Sequence, residues 1–177
     1  MPRANTSSAA ASLAADARAD AWLALDKQLC FALYSASLAM TKMYKPLLAP
    51  LGLTYPQYLV MLSMWEAEAD TTGDGLSVSA LGDRLALDSG TLTPLLKRLQ
   101  AQGALTRERD TADERRVIVR LTDAGRRLKI QARKVPPQVA RSTGCELAEI
   151  AQLTRQLTTM RESLARAGTD PDSDTTH

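Results

Sequence analysis

The feature that most narrows the folds open to this chain is a change of hydrophobic period at Gly103. Before it, "SVSALGDRLAL" (77–87) and "DSGTLTPLLKRLQAQG" (88–103) repeat their apolar residues at steps of three and four. Val78, Leu81 and Leu85 form one inner face, and Leu92, Leu95, Leu96 and Leu99 form the next. That spacing predicts two short amphipathic helices in quick succession. After Gly103, "ALTRER" and "RRVIVRL" are rich in β-branched residues and flank the polar turn "DTADE", which predicts a β-hairpin. Ser77 is the expected cap of the first helix. A proline deep inside a helix removes a backbone bond, so Pro94 requires the second helix to begin close before it, near Ser89.

The flanks are helical. From Trp22 to Met43 the residues Trp22, Leu25, Leu29, Ala32, Leu33, Ala36, Met40 and Met43 form one long apolar stripe. "APLGLTYP" (49–56) breaks it. Thr54 is the expected cap of a further helix, with Pro56 in its first turn, running roughly to Trp65. "EAEADTTGDG" (66–75) reads as a polar loop. Thr122 is expected to cap a long helix through Val135, bent by Pro136 and Pro137. A last helix, about 146–165, carries Leu147, Ile150, Leu153, Leu157, Met160 and Leu164 as a second long stripe. The expected fold is mainly α with a small β-hairpin wing. A winged helix-turn-helix over 76–121 lies between N-terminal helices (21–66) and C-terminal helices (122–166). The Ala/Ser-rich start (1–20) reads as a disordered arm without the compact apolar segment of a signal peptide, and 167–177 as a disordered acidic tail.

Charge indicates what the module touches. A net +2 over 177 residues is too small to argue for a nucleic-acid partner, so location decides. Between residues 84 and 129 eleven Lys and Arg stand against six Asp and Glu, and the rest of the chain is net negative. Such a module lays its second helix in the major groove of double-stranded DNA. Ser89, Thr91, Thr93, Lys97 and Arg98 on that helix suit base edges and phosphates. RNA is disfavoured, since this segment has no Tyr or Phe on which bases could stack. No apolar run approaches the ~20 residues that span a bilayer, so no membrane is expected and the protein is expected in the cytoplasm. Two cysteines in a reducing cytosol remain thiols by default. The only histidine is the terminal His177, which leaves no metal site, no cofactor and most acid–base schemes without a donor. No catalytic triad, phosphate-cradling loop or carboxylate pair argues for an enzyme.

One residue stands apart. In "DKQLCFALYSASLAM" (26–40) Cys30 lies near a helix start, three residues after Lys27, where the helix dipole favours a thiolate. Tyr34, at i+4, shares its face. All four tyrosines (Tyr34, Tyr44, Tyr55 and Tyr58) fall within 31–58, and phenol hydroxyls can donate to a thiolate. Tyr44 lies fourteen residues beyond Cys30, about 21 Å along a straight helix, so it reaches a Cys30 only if the chain turns back or a second subunit brings it. Taken alone, these residues leave Cys30 open to a second reading, as an inert core thiol.

"LDSGTLTPLLKRLQAQG" followed by "RERDTADERRVIVRLTDAG" resembles the MarR family of winged-helix repressors. "QLCFALY", "MYKPLLAPLGLTYPQYLVMLSMWE" and "DSGTLTPLLKRL", in that order, narrow the likeness to its organic hydroperoxide resistance repressors, over roughly 22–165. The resemblance implies an obligate homodimer of interlocked terminal helices on a pseudo-palindromic operator. In it Arg115 is the minor-groove wing arginine, beside Arg116, with Asp113 bracing the wing. It further implies that Tyr44 and Tyr55 close over the partner's Cys30, that organic hydroperoxide oxidises Cys30, and that Cys145 of the other subunit resolves it, releasing the operator. Two other uses stay open: a MarR-like repressor released by a small aromatic or hydrophobic ligand, and a thiol peroxidase. The loop "EADTTGDG" is longer than is usual in the family.

Overall fold

The chain, seen here in a computed structural model, is described over residues 22–70 and 75–167. The expected arm (1–20), the middle of the 66–75 loop and the tail beyond Ala167 lie outside the described residues. Two compact units, Met1–Pro46 and Leu47–His177, make up the chain.

In the first unit a 3-10 turn, Leu25–Lys27, precedes helix α1, Leu29–Leu48. The stripe expected from Trp22 therefore becomes α-helical only at Leu29, because Ala24 and Gln28 hold extended backbone on either side of the turn. The helix also runs past Met43 to Leu48. Pro46 sits in its last turn, where only the bond to the Lys42 carbonyl is lost. Trp22, Leu23, Leu25 and Leu29 are all exposed.

The second unit is built around helix α2, Tyr55–Asp70. Its start is fixed by Gln57, whose Oε1 accepts from the Thr54 N–H at 2.8 Å and the Thr54 hydroxyl at 3.0 Å. This is the returning half of a capping box. The helix outlasts the expected end at Trp65 by more than a turn. It buries Tyr58, Val60, Met61, Met64, Trp65 and Ala67, and the Tyr58 and Trp65 rings meet edge-on at 6.4 Å.

Strand β1 (Leu76–Ser77) leads into helix α3 (Val78–Leu85), which Ser77 caps by accepting from the Ala80 N–H at 3.1 Å. Ala86 makes the turn in the left-handed region at φ 52°, and helix α4, Ser89–Ala101, follows. Its start is the expected one, and Pro94 is accommodated in its second turn. Strands β2 (Leu105–Arg109) and β3 (Val117–Leu121) pair antiparallel, with Leu105 opposite Leu121 and Arg109 opposite Val117. The hairpin is joined by β1, which pairs with β3 through Leu76–Val119 and Ser77–Ile118 in the order β1-β3-β2. The wing is thus a three-stranded sheet, one strand more than the sequence reading gave.

Helix α5 (Asp123–Ala132) is capped by Thr122 through the Gly125 N–H at 3.0 Å. The long bent helix expected here is instead two helices. The chain breaks at Arg133–Lys134, and α6 (Val135–Thr143) starts with Pro136 and Pro137 in its first turn, where a missing N–H costs nothing. Helix α7, Leu147–Ala167, has no buried residue. Its stripe, Leu147, Leu153, Leu157 and Leu164, faces solvent at 45–74% exposure.

Helices α2 and α5 are joined by three bonds. The buried Trp65 indole donates to the Gly125 carbonyl at 2.9 Å, Lys129 Nζ donates to the Trp65 carbonyl at 3.1 Å, and Arg126 pairs with Glu68 at 2.6 Å. The approach demands a glycine, since a Cβ on Gly125 would lie 2.0 Å from the Ala104 carbonyl oxygen. Gly125→Ala should destabilise the fold by about 3 kcal/mol through overpacking. Urea denaturation checks this, and an unchanged midpoint would show that the contact does not constrain the helix.

Candidate nucleic-acid interface and thiol sites

The outward face of α4 is polar because its inward face is spent on Leu92, Leu96 and Leu99, all buried. Ser89, Thr91, Lys97 and Arg98 are exposed and Thr93 is half-buried. The hydroxyls are not equivalent. Thr93 Oγ1 donates to the Ser89 carbonyl at 2.7 Å. Thr91 Oγ1 donates to Asp88 Oδ2 at 2.7 Å, while Asp88 Oδ1 accepts from the Thr91 N–H at 2.8 Å. Asp88 is therefore the helix cap, and the Thr91 hydroxyl, then its amide, hold the carboxyl below the usual carboxylate range. The sequence reading passed over Asp88, although an Asp directly before a helical repeat is a legible cap signal.

The wing turn is tied by two carboxylates. Asp113 Oδ1 accepts from the Arg115 N–H at 3.1 Å and from its Nε at 3.4 Å. Asp113 thus holds both the amide and the side chain of Arg115, which stands 94% exposed at the tip. Asp110, which the sequence reading did not single out, accepts from the Ala112 N–H at 2.9 Å and lies 3.7 Å from Arg116. Arg116 is thus partly committed to its own turn. Glu66 pairs with Arg84, Glu108 with Arg120, and Glu68 and Asp123 with Arg126. Lys97, Arg98, Arg109 and Arg127 have no carboxylate partner among the described residues. Unpaired positive charge is therefore available to an anion on α4, the wing and the start of α5.

Cys30 is exposed and is the second residue of α1; Tyr34, one turn on, is exposed as well. Tyr44 is half-buried in the same unbroken helix, so the separation set by helical rise stands: it does not fold back on its own Cys30. Tyr55 opens α2 in the second unit. Burial raises its phenol above the ordinary value, and Tyr58 is raised by burial and then by Tyr55. Cys145 lies between α6 and α7, half-exposed, with its Sγ 3.6 Å from the Thr143 carbonyl. It opens onto a cavity of about 550 Å³ lined by Pro136, Pro137, Ala140, Arg141 and Leu147. No helix among the described residues is long and apolar enough to cross a membrane.

Comparison with known proteins gives this geometry a context. The sequence profile of the SarA/Rot transcriptional regulators matches residues 42–132. The chain is 53% identical over 145 residues to the HTH-type transcriptional regulator TtmR of Methylorubrum extorquens (strain PA1), covering 81% of this chain and 71% of that protein. It is 46% identical over 140 residues to the organic hydroperoxide resistance transcriptional regulator of Bacillus subtilis (strain 168), covering 79% and 91%. Among solved structures, AbfR of Staphylococcus epidermidis superposes with a TM-score of 0.65 at 33% identity, over 80% of this chain and 94% of that one. AbfR has also been solved bound to DNA in reduced and overoxidised forms.

The bracing of the wing turn can be read directly. Asp113→Ala should speed hydrogen exchange at the Arg115 and Arg116 amides, while global stability changes by no more than about 0.5 kcal/mol, as for an exposed surface site. Exchange no faster than in the parent chain would show that the turn holds itself without the carboxylate.

Proposed function

The chain belongs to the SarA/Rot family of winged-helix transcriptional regulators, and from that premise we propose that it is a cytoplasmic, homodimeric repressor released from its operator by organic hydroperoxide. The observation that carries the redox part is the placement of Cys30: a solvent-exposed thiol in the first turn of α1, with a phenol one turn away. The 46% identity to an organic hydroperoxide resistance regulator supports the same reading. In it, Ser89, Thr91, Thr93, Lys97 and Arg98 enter the major groove, while Arg115 and Arg116, with Asp113 behind them, reach the backbone and minor groove.

The exposed leucines of α7 supply the reason to dimerise. A contiguous stripe without a single buried residue is unfavourable in water and is satisfied by a second copy. Across the twofold axis Tyr44 and Tyr55 of one subunit hydrogen-bond the Cys30 thiolate of the other. The thiolate attacks the terminal oxygen of the hydroperoxide. The O–O bond breaks, the alkoxide leaves and takes a proton as the alcohol, and sulfur becomes the sulfenic acid. The Cys145 thiol of the other subunit then attacks that sulfur, forming the disulfide and expelling water. A disulfide holds its Cα atoms within about 7 Å. Drawing them together moves the terminal helices and changes the spacing of the two α4 helices, on which dimeric groove binding depends.

A second reading rests on a cavity of about 310 Å³ beneath α2, lined by Tyr58, Leu62, Trp65, Ala69, Lys129 and Arg133 among others. Apolar walls, with Lys129, Arg133 and Glu66 as the charged groups, suit a small aromatic or hydrophobic ligand. Release of DNA by such a compound under full reduction, with Cys30→Ser equally responsive, would select this reading over the thiol chemistry.

Gel-shift titrations separate the two. Cys30→Ser should bind the operator as the reduced parent does and ignore cumene hydroperoxide, whereas the parent should lose binding at stoichiometric oxidant. If Cys30→Ser still lets go, Cys30 is not the sensor. On non-reducing gels the oxidised parent should run as a covalent dimer and Cys145→Ser should not. Arg115→Ala should weaken binding to all sequences alike and lower the salt slope by about one.

A further inference from the structure

Asp88, Thr91 and Thr93, at the start of α4, present a set of hydrogen-bond acceptors. A threonine hydroxyl normally offers a groove one donor and two lone pairs. Here the proton of Thr91 is given to Asp88 and that of Thr93 to the Ser89 carbonyl, each at 2.7 Å. Both hydroxyls can therefore only accept. Asp88 is exposed, and each of its oxygens takes one bond from Thr91, which leaves lone pairs facing outward. Its carboxylate caps the helix, a role that an uncharged Asn or Ser fills as well, so the charge itself calls for a further account. It precedes a helix whose Lys97 and Arg98 are unpaired among the described residues, in the segment where cations dominate, and a negative charge there opposes the attraction of DNA phosphates. A residue that lowers general affinity at the groove-entering end of the helix is accounted for if it discriminates between bases.

Base-edge chemistry fixes which base. In the major groove guanine presents two acceptors and thymine an acceptor with a methyl group. Adenine presents an amino group next to the N7 acceptor, and cytosine presents the N4 amino group alone. Guanine and thymine repel an acceptor row, adenine repels one half of it, and cytosine fits. We infer that Asp88, held in orientation by Thr91, selects a cytosine in each operator half-site by accepting a hydrogen bond from its N4 amino group. The inference rests on the DNA-binding part of the proposed function and is independent of the thiol chemistry.

The test uses the full chain, kept reduced, and a pool of randomised duplexes. Asp88→Asn keeps the cap, because Asn and Asp rank together at that position, but it removes the charge and adds a donor. Selection with the parent chain should return one position per half-site restricted to C·G, where exchange for T·A costs at least about fivefold in affinity. With Asp88→Asn that penalty should fall to within twofold, while affinity for unrelated duplexes rises. Thr91→Val should relax the same position, and Thr91→Ser should restore it. A parent chain without a cytosine-restricted position, or an Asp88→Asn variant that weakens all sequences equally and keeps the C·G penalty, overturns the inference. Failure of the parent to select any sequence would instead overturn DNA recognition itself.

Discussion

The second unit depends on the joint between α2 and α5, where a tryptophan is buried against a glycine that has no room for a side chain. Trp65 is 3% exposed and its indole N–H meets the Gly125 carbonyl. A buried indole without a partner would carry a desolvation cost of roughly 1–3 kcal/mol, so bond and burial stand or fall together. The Thr122 cap fixes the first turn of α5, the turn presents Gly125, and Gly125 lets the helix lie against the chain at Ala104, where β2 begins. The wing sheet, the helix that packs beneath it and the helix that leads towards α6 are thereby referred to one point.

That point bears on how a signal in α2 can reach DNA-facing elements. Tyr55 opens α2, Ser63 and Glu66 hold Arg84 at the end of α3, and Trp65 and Glu68 hold α5. A shift of α2 as a body therefore acts on α3 and α5 together. Close-packed protein interiors pass on displacements instead of absorbing them.

Much of this was legible from residues alone. The period change at Gly103, the Ser77 and Thr122 caps and the start of α4 at Ser89 are local signals with local causes, and the structure follows them. Part of what was missed depended on distant partners. Strand β1 is two residues long and exists only because Leu76 and Ser77 meet Val119 and Ile118. The stripe from Trp22 has helical spacing, yet extended backbone at Ala24 and Gln28 interrupts it. Pro136 and Pro137 mark a discontinuity without saying whether the chain bends or restarts. For the α4 hydroxyls the sequence supplies the residue types, but the direction in which each proton points is settled only by the neighbouring oxygen.

The uncovered leucines of α7 carry a consequence for supply. If a second copy covers them, folding of the terminal helices, pairing of subunits and occupancy of DNA draw on one shared equilibrium, and stability depends on protomer concentration. Copy number then becomes an input to control alongside any chemical signal. A cell that dilutes the protein, by growth or by slow synthesis, would loosen its hold on DNA more steeply than in simple proportion.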